Sequence, residues 1–155
     1  MLGMEETMTD RLLQDLNGEE AAKLRRHWPF WARPEQLSPA KDWRVWLICA
    51  GRGFGKTRAG AEWVRQIAHS YPDARIALVG SSIAEVRAVM VEGESGLLAC
   101  CKTDRLRVEF EASRKLLSWA NGAQAMLYSA AEPESLRGPQ NSHACGASAE
   151  RDLRE

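Results

Sequence analysis

Two apolar runs dominate the hydrophobic pattern. Residues 45–49 (Val-Trp-Leu-Ile-Cys) and 75–80 (Arg-Ile-Ala-Leu-Val-Gly) are continuous rather than alternating, as expected of parallel strands buried on both faces. Between them the period changes. Gly60, Trp63, Val64, Ile67 and Ala68 recur at i, i+3, i+4, i+7 and i+8, with Arg58, Glu62 and Arg65 on the other side, which predicts an amphipathic helix entered at Thr57. Tyr71-Pro72-Asp73 makes the turn into the second strand. Ser82 and Glu85 then have capping-box spacing, and Ile83, Val86 and Met90 share one helical face, so a second helix follows at once. This order favours parallel α/β architecture. From Leu106 onward residues 107–111 alternate, 116–119 are apolar, Asn121-Gly122 signals a turn and 123–128 read as extended, which together predict a β-hairpin.

The chain ahead of the first run is different. Short helices are expected around residues 10–16 and 19–27, separated by the breaker pair Asn17-Gly18. Residues 28–37 hold two prolines, which argue against regular structure, and three aromatics, which require burial. They form either a packed arm over a sheet edge or an adenine contact in which Gln36 offers its amide as paired donor and acceptor. No internal repeat or low-complexity linker interrupts the chain. The expected division is an N-terminal helical and aromatic arm (1–40), an α/β domain (41–142) and a tail (143–155).

Chemistry concentrates between the first run and the helix. Gly51-Arg-Gly-Phe-Gly-Lys-Thr57 matches the phosphate-loop pattern except that its first position falls on Ala50. Glycines at 51, 53 and 55 let backbone N–H groups converge on one concavity, with Arg52 and Phe54 between them. Lys56 brings mobile positive charge for the β- and γ-phosphates of ATP. Thr57 offers a hydroxyl to Mg²⁺ and opens a helix whose unpaired N–H groups attract the anion. A strand–loop–helix unit of this kind predicts an α/β fold of the P-loop NTPase type, with a mostly parallel sheet, flanking helices and a β-hairpin.

Composition adds limits. Apolar residues are 45% and charged residues 27% of 155, a globular balance. Twenty-one basic and 21 acidic residues cancel, so no autonomous DNA binding is expected. There is no signal-peptide pattern and no membrane-length apolar run, so a cytoplasmic location without membrane contact is expected. Cys49, Cys100, Cys101 and Cys145 lack C-x-x-C spacing, and with three histidines a zinc site is not expected; Cys49 reads as a small buried strand residue and the others as ordinary thiols.

Trp31-Ala-Arg-Pro-x-Gln-Leu37, the block from Gly51 to Trp63, residues 87–98 with Val91-Glu-Gly-Glu-Ser-Gly96, and Leu136-Arg-Gly-Pro-Gln140 closely resemble the phage-type terminase large subunit, including its gene-transfer-agent-like branch. The resemblance spans about residues 28–142. It implies an N-terminal P-loop ATPase that drives DNA into a capsid, with ATP and Mg²⁺ as cofactors. The small terminase subunit, the portal and double-stranded DNA are the partners it implies. Carried over, it implies that residues 51–57 bind ATP and that Thr57 holds Mg²⁺. Arg52 resembles the family arginine that stabilises transition-state charge, its alternative being a plain phosphate or surface contact.

The family's strand-borne acid pair after Arg137-Gly138 has no counterpart. None of the aspartates at 10, 15, 42, 73, 104 and 152 follows an apolar run, and the nuclease domain is missing. The chain therefore reads as an N-terminal terminase ATPase fragment, truncated and catalytically incomplete, whose frame departs from the family after about Ser142. The alternatives are a non-catalytic interaction module of a packaging complex and, ranked last, a small P-loop kinase, for which the hairpin offers neither basic lid nor acceptor site.

Overall fold

The computed structural model describes residues 17–40 and 42–147. The chain divides between Leu37 and Ser38 into two compact units. In the first, Asn17 caps helix α1 (Gly18–Arg26): its Oδ1 accepts from the N–H groups of Glu19 (3.1 Å) and Glu20 (3.0 Å), and Glu20 accepts from the Asn17 N–H (3.2 Å). Helix α2 (Trp28–Trp31) and a 3₁₀ turn (Pro34–Gln36) follow. The expected irregular arm is thus helical. Both prolines sit in the first turn of a short element, where a missing N–H costs no hydrogen bond. The helix expected at 10–16 lies outside the described residues.

The second unit holds helix α3 (Lys56–Ser70), strand β1 (Arg75–Gly80), helix α4 (Ile83–Glu85) running on as a π-helical segment (Val86–Val91), and helix α5 (Leu97–Cys101). Strands β2 (Val108–Glu111), β3 (Leu116–Trp119), β4 (Gln124–Ser129) and β5 (His143–Gly146) complete it. The sheet order is β2-β3-β4-β1-β5. β1 pairs in parallel with β4 and β5, while β2–β3 and β3–β4 are antiparallel. The sheet is therefore mixed, not mostly parallel, because the hairpin strands join the same ladder as β1. Ile76, Leu78, Leu117, Trp119, Ala125 and Leu127 of the sheet form one core with Val64 and Ala68 of α3, Val86 and Val91 of the π-helical segment, and Leu97 of α5.

Local chemistry fixes the joints. Asn121, in the β3–β4 turn, accepts from the Ala123 N–H (3.2 Å) and donates to the Ala68 carbonyl near the end of α3 (2.8 Å), so the turn is pinned to the helix. Arg87 ion-pairs with Glu92 (2.9 Å) and lies over the Phe110 ring at 5.7 Å. At Gly96 a Cβ would stand 2.7 Å from the Val91 carbonyl oxygen and 3.0 Å from that of Gly93. The glycines of the 91–96 segment thus answer to close backbone packing.

Two strand expectations fail. Residues 45–49 join no strand, and Val45 and Leu47 are 83% and 77% exposed, with Cys49 also exposed rather than buried. A buried strand needs a ladder partner. Both edges of β1 are taken by β4 and β5, and the run does not pair with the outer edge of β5. Conversely, β5 forms from a stretch that reads as small and polar. Ser142 holds it in register: its N–H donates to the Arg75 carbonyl (2.8 Å), and its Oγ accepts from the Arg75 N–H (3.0 Å). Small residues suit the site, since a Cβ on Gly60 of α3 would stand 3.1 Å from Cys145 Sγ.

Candidate functional site

The loop before α3 is built by two backbone angles. Gly53 (φ 77) and Gly55 (φ 87) are left-handed, which glycine alone adopts without strain. Gly55 is the N-cap of α3. No side chain caps that end and its first turn holds no acid, so the positive pole of a 15-residue helix faces the loop without a competing carboxylate. Lys56 is the first helical residue. Its Nζ donates to the carbonyls of Ala50 and Gly51, the latter at 3.0 Å, so the ammonium folds back across the loop. Thr57 follows, half-buried. Gly51 and Arg52 are exposed, and Phe54 is half-buried. A Cβ at position 51 or 53 would meet nothing within 4 Å, so the loop lies open.

These residues fit a polyphosphate: a cation, an uncapped helix N-terminus and an open glycine loop converge. For a metal they offer the Thr57 hydroxyl. Among the described residues no three His, Cys, Asp or Glu side chains come together to hold an ion, and the carboxyl end of β5, Cys145-Gly146-Ala147, carries no carboxylate. Gln36 belongs to the other unit. It is buried, and its Oε1 accepts from the Arg33 N–H (2.8 Å), so the acceptor half of its amide already serves a local bond.

Behind the loop lies a charge network that the hydrophobic pattern misplaces. Glu62, expected on the solvent face of α3, is 4% exposed. It accepts from Arg58 (Nε 2.9 Å, Nη2 2.7 Å) and from Arg65 (Nη1 2.8 Å). Arg65 also grips Asp104 with two bonds (2.6 and 2.7 Å), and His69 Nε2 stands 3.0 Å from the same carboxylate. Hydrogen bonding to Asp104, opposed by burial and reinforced by Glu62, raises the Arg65 pKa. The network ties α3 to the α5–β2 connection. Its signal in the sequence is the spacing of Arg58, Glu62 and Arg65, four and three residues apart.

An aromatic series flanks α3. Trp43 contacts Trp46 (6.1 Å between centroids) and Trp63 (6.0 Å); Trp63 in turn meets His143 of β5 (6.1 Å), which stacks on Tyr71 (5.8 Å). Burial pushes the Cys100 thiol up to about 12 and those of Cys101 and Cys145 to about 11. Among the described residues no helix is long and apolar enough to cross a membrane.

A family model described as terminase large subunit, T4likevirus-type, N-terminal, matches residues 47–145. The matched span runs from the unpaired apolar run through the glycine loop and α3 into β5. No curated protein and no solved structure matches the chain.

Proposed function

We propose that this chain, which belongs to the T4likevirus-type terminase large subunit N-terminal family, contributes an ATP-gripping loop to a phage DNA-packaging motor and does not turn ATP over by itself. The observation that carries the reading is the convergence at Gly55: two left-handed glycines, an uncapped helix N-terminus and the Lys56 ammonium meet at one open loop. On binding, Lys56 exchanges the carbonyls of Ala50 and Gly51 for the β- and γ-phosphates, and Thr57 directs its hydroxyl to the metal. Bound Mg²⁺ supplies charge neutralisation across the phosphate oxygens. Arg52, exposed in the loop, contacts the phosphates either as a transition-state ligand or as a plain positive charge. Absence of turnover is proposed because, among the described residues, the carboxyl end of β5 offers no acid to order the metal or orient water. The proposed partners are the small terminase subunit, the portal and double-stranded DNA. With 21 charges of each sign, DNA contact is assigned to the assembled complex.

A fluorescent-nucleotide titration tests the grip. Lys56→Ala removes a charge-assisted contact worth about 1.5–3 kcal/mol, so affinity for ATP·Mg should fall roughly 10- to 150-fold. Equal affinity in both proteins overturns the loop assignment. Phosphate release above the Lys56→Ala background overturns the claim that turnover is lost.

A further inference from the structure

Two Asn-Gly pairs stand in the chain, at 17–18 and 121–122. Such a pair is chemically labile, because a glycine without Cβ leaves its backbone nitrogen unhindered in reaching the preceding amide carbon. That nitrogen gives up its proton and bonds to Cγ; the Cγ–Nδ2 bond breaks and ammonia leaves. Water then opens the cyclic imide to aspartate or isoaspartate. In the β3–β4 turn every reacting group is tied. The Gly122 N–H donates to the Trp119 carbonyl (2.9 Å), Asn121 Nδ2 donates to the Ala68 carbonyl (2.8 Å), and Asn121 Oδ1 accepts from the Ala123 N–H (3.2 Å). Arg75 Nη1 also donates to the Gly122 carbonyl (3.1 Å). We propose that Asn121 is a gated modification site, inert while the turn is closed and converted once it opens, after which the turn no longer closes onto α3.

The fold itself requires the labile pair. Gly122 is left-handed (φ 105), and a Cβ there would stand 3.2 Å from the Pro72 carbonyl oxygen, so a side chain that would shield its nitrogen is excluded. The products do not fit where asparagine did. Aspartate has no N–H for the Ala68 carbonyl, so two acceptors face each other across a half-buried joint. Isoaspartate carries the chain through Cβ and adds one carbon to the backbone between residues 121 and 122. The bond from the Trp119 N–H to the Ala123 carbonyl (2.9 Å), which closes the turn, then loses its spacing. Asn17 differs. It is exposed at the N-cap of α1, where its Oδ1 accepts from two N–H groups, a role that aspartate fills equally. Opening at residue 121 therefore leaves a permanent mark, whereas conversion of Asn17 to aspartate leaves the cap intact.

The test needs no nucleotide, so it stands apart from the ATP reading. Peptide mapping by mass spectrometry, with the chain held in mildly alkaline buffer, reads amide-to-acid conversion at residue 121 separately from that at residue 17. Conversion of Asn121 in the folded chain should run roughly tenfold or more below that of the same residue in urea, because reaction waits on local opening. Equal rates overturn the gate, as does an absence of conversion in urea. The second arm concerns the product. Asn121→Asp should lower the urea midpoint, while Asn17→Asp leaves it in place. An Asn121→Asp chain that melts with the wild type overturns the claim that the turn no longer closes. Failure of Asn121→Asp to fold, with Asn17→Asp folded, is the expected result in its extreme form.

Discussion

Leu78 and Leu47 sit in apolar runs of nearly the same composition, yet Leu78 is fully buried and Leu47 is 77% exposed. The first lies in β1, with a parallel partner on each side and α3 and the π-helical segment in its core; the second lies ahead of Gly55, where no ladder partner is present among the described residues. Hydrophobicity proposes a strand, but a ladder partner decides whether it forms. Gly55 marks the boundary: downstream the chain is cross-braced by ion pairs and sheet register, and between residues 42 and 55 Trp43 meets Trp63 and Lys56 holds the carbonyls of Ala50 and Gly51.

The largest expected contrast is at Glu62. Glu62→Ala removes the buried acceptor shared by Arg58 and Arg65, though Arg65 keeps its two bonds to Asp104, and losing two charge-assisted contacts should cost about 2–5 kcal/mol. Asp42→Ala, upstream and exposed, should change stability by less than about 0.5 kcal/mol. Urea melts of the two variants decide the matter, and comparable costs would erase the boundary. Next come the leucines. Leu117→Ala in the core should cost about 2–4 kcal/mol, against about 0.5 kcal/mol or less for Leu47→Ala measured at low protein concentration. A Leu47→Ala loss as large as that of Leu117→Ala would mean that the run is buried in solution.

The smallest contrast is chemical. At pH 8 a thiol reagent should label Cys49 fast and leave Cys100, Cys101 and Cys145 largely unmodified until unfolding. The same three thiols set an alkaline limit. Their folded pKa values of about 11 to 12 lie above the ordinary value of 9.0, so the unfolded chain loses protons first. Their contribution is full below pH 9 and declines as pH rises towards 11 to 12. A melting temperature flat from pH 8 to 11, or one unaltered by Cys100→Ala in that range, would count against it.

Local signals account for what the sequence made legible. The helix expected at 19–27, the helix after the glycine loop, β1 and the Asn121-Gly122 hairpin rest on contacts within a few residues, and all are present, although Asn17, read as a breaker, serves as the cap of the first. The loop glycines that need left-handed angles, at 53 and 55, were likewise readable, although Gly51 is not left-handed. What escaped is non-local. β5 has no apolar run of its own and exists because β1 offers a free edge and Ser142 fixes the register. Glu62 reads as a surface acid until Arg58, Arg65 and the packing of α3 enclose it.

The bond between Arg75 and Ser142 spans 67 residues of sequence, and it joins the strand made first to the one made last. Chains emerge N-terminus first at about 5–20 residues per second, so β1 is made roughly 3–13 s before its second neighbour. Through that interval one edge of β1 has no companion, and long-range parallel pairing is slow to form even when both strands are available. The order of synthesis thus leaves β1 a window in which a chaperone, or another nascent chain, competes with β5 for the same edge.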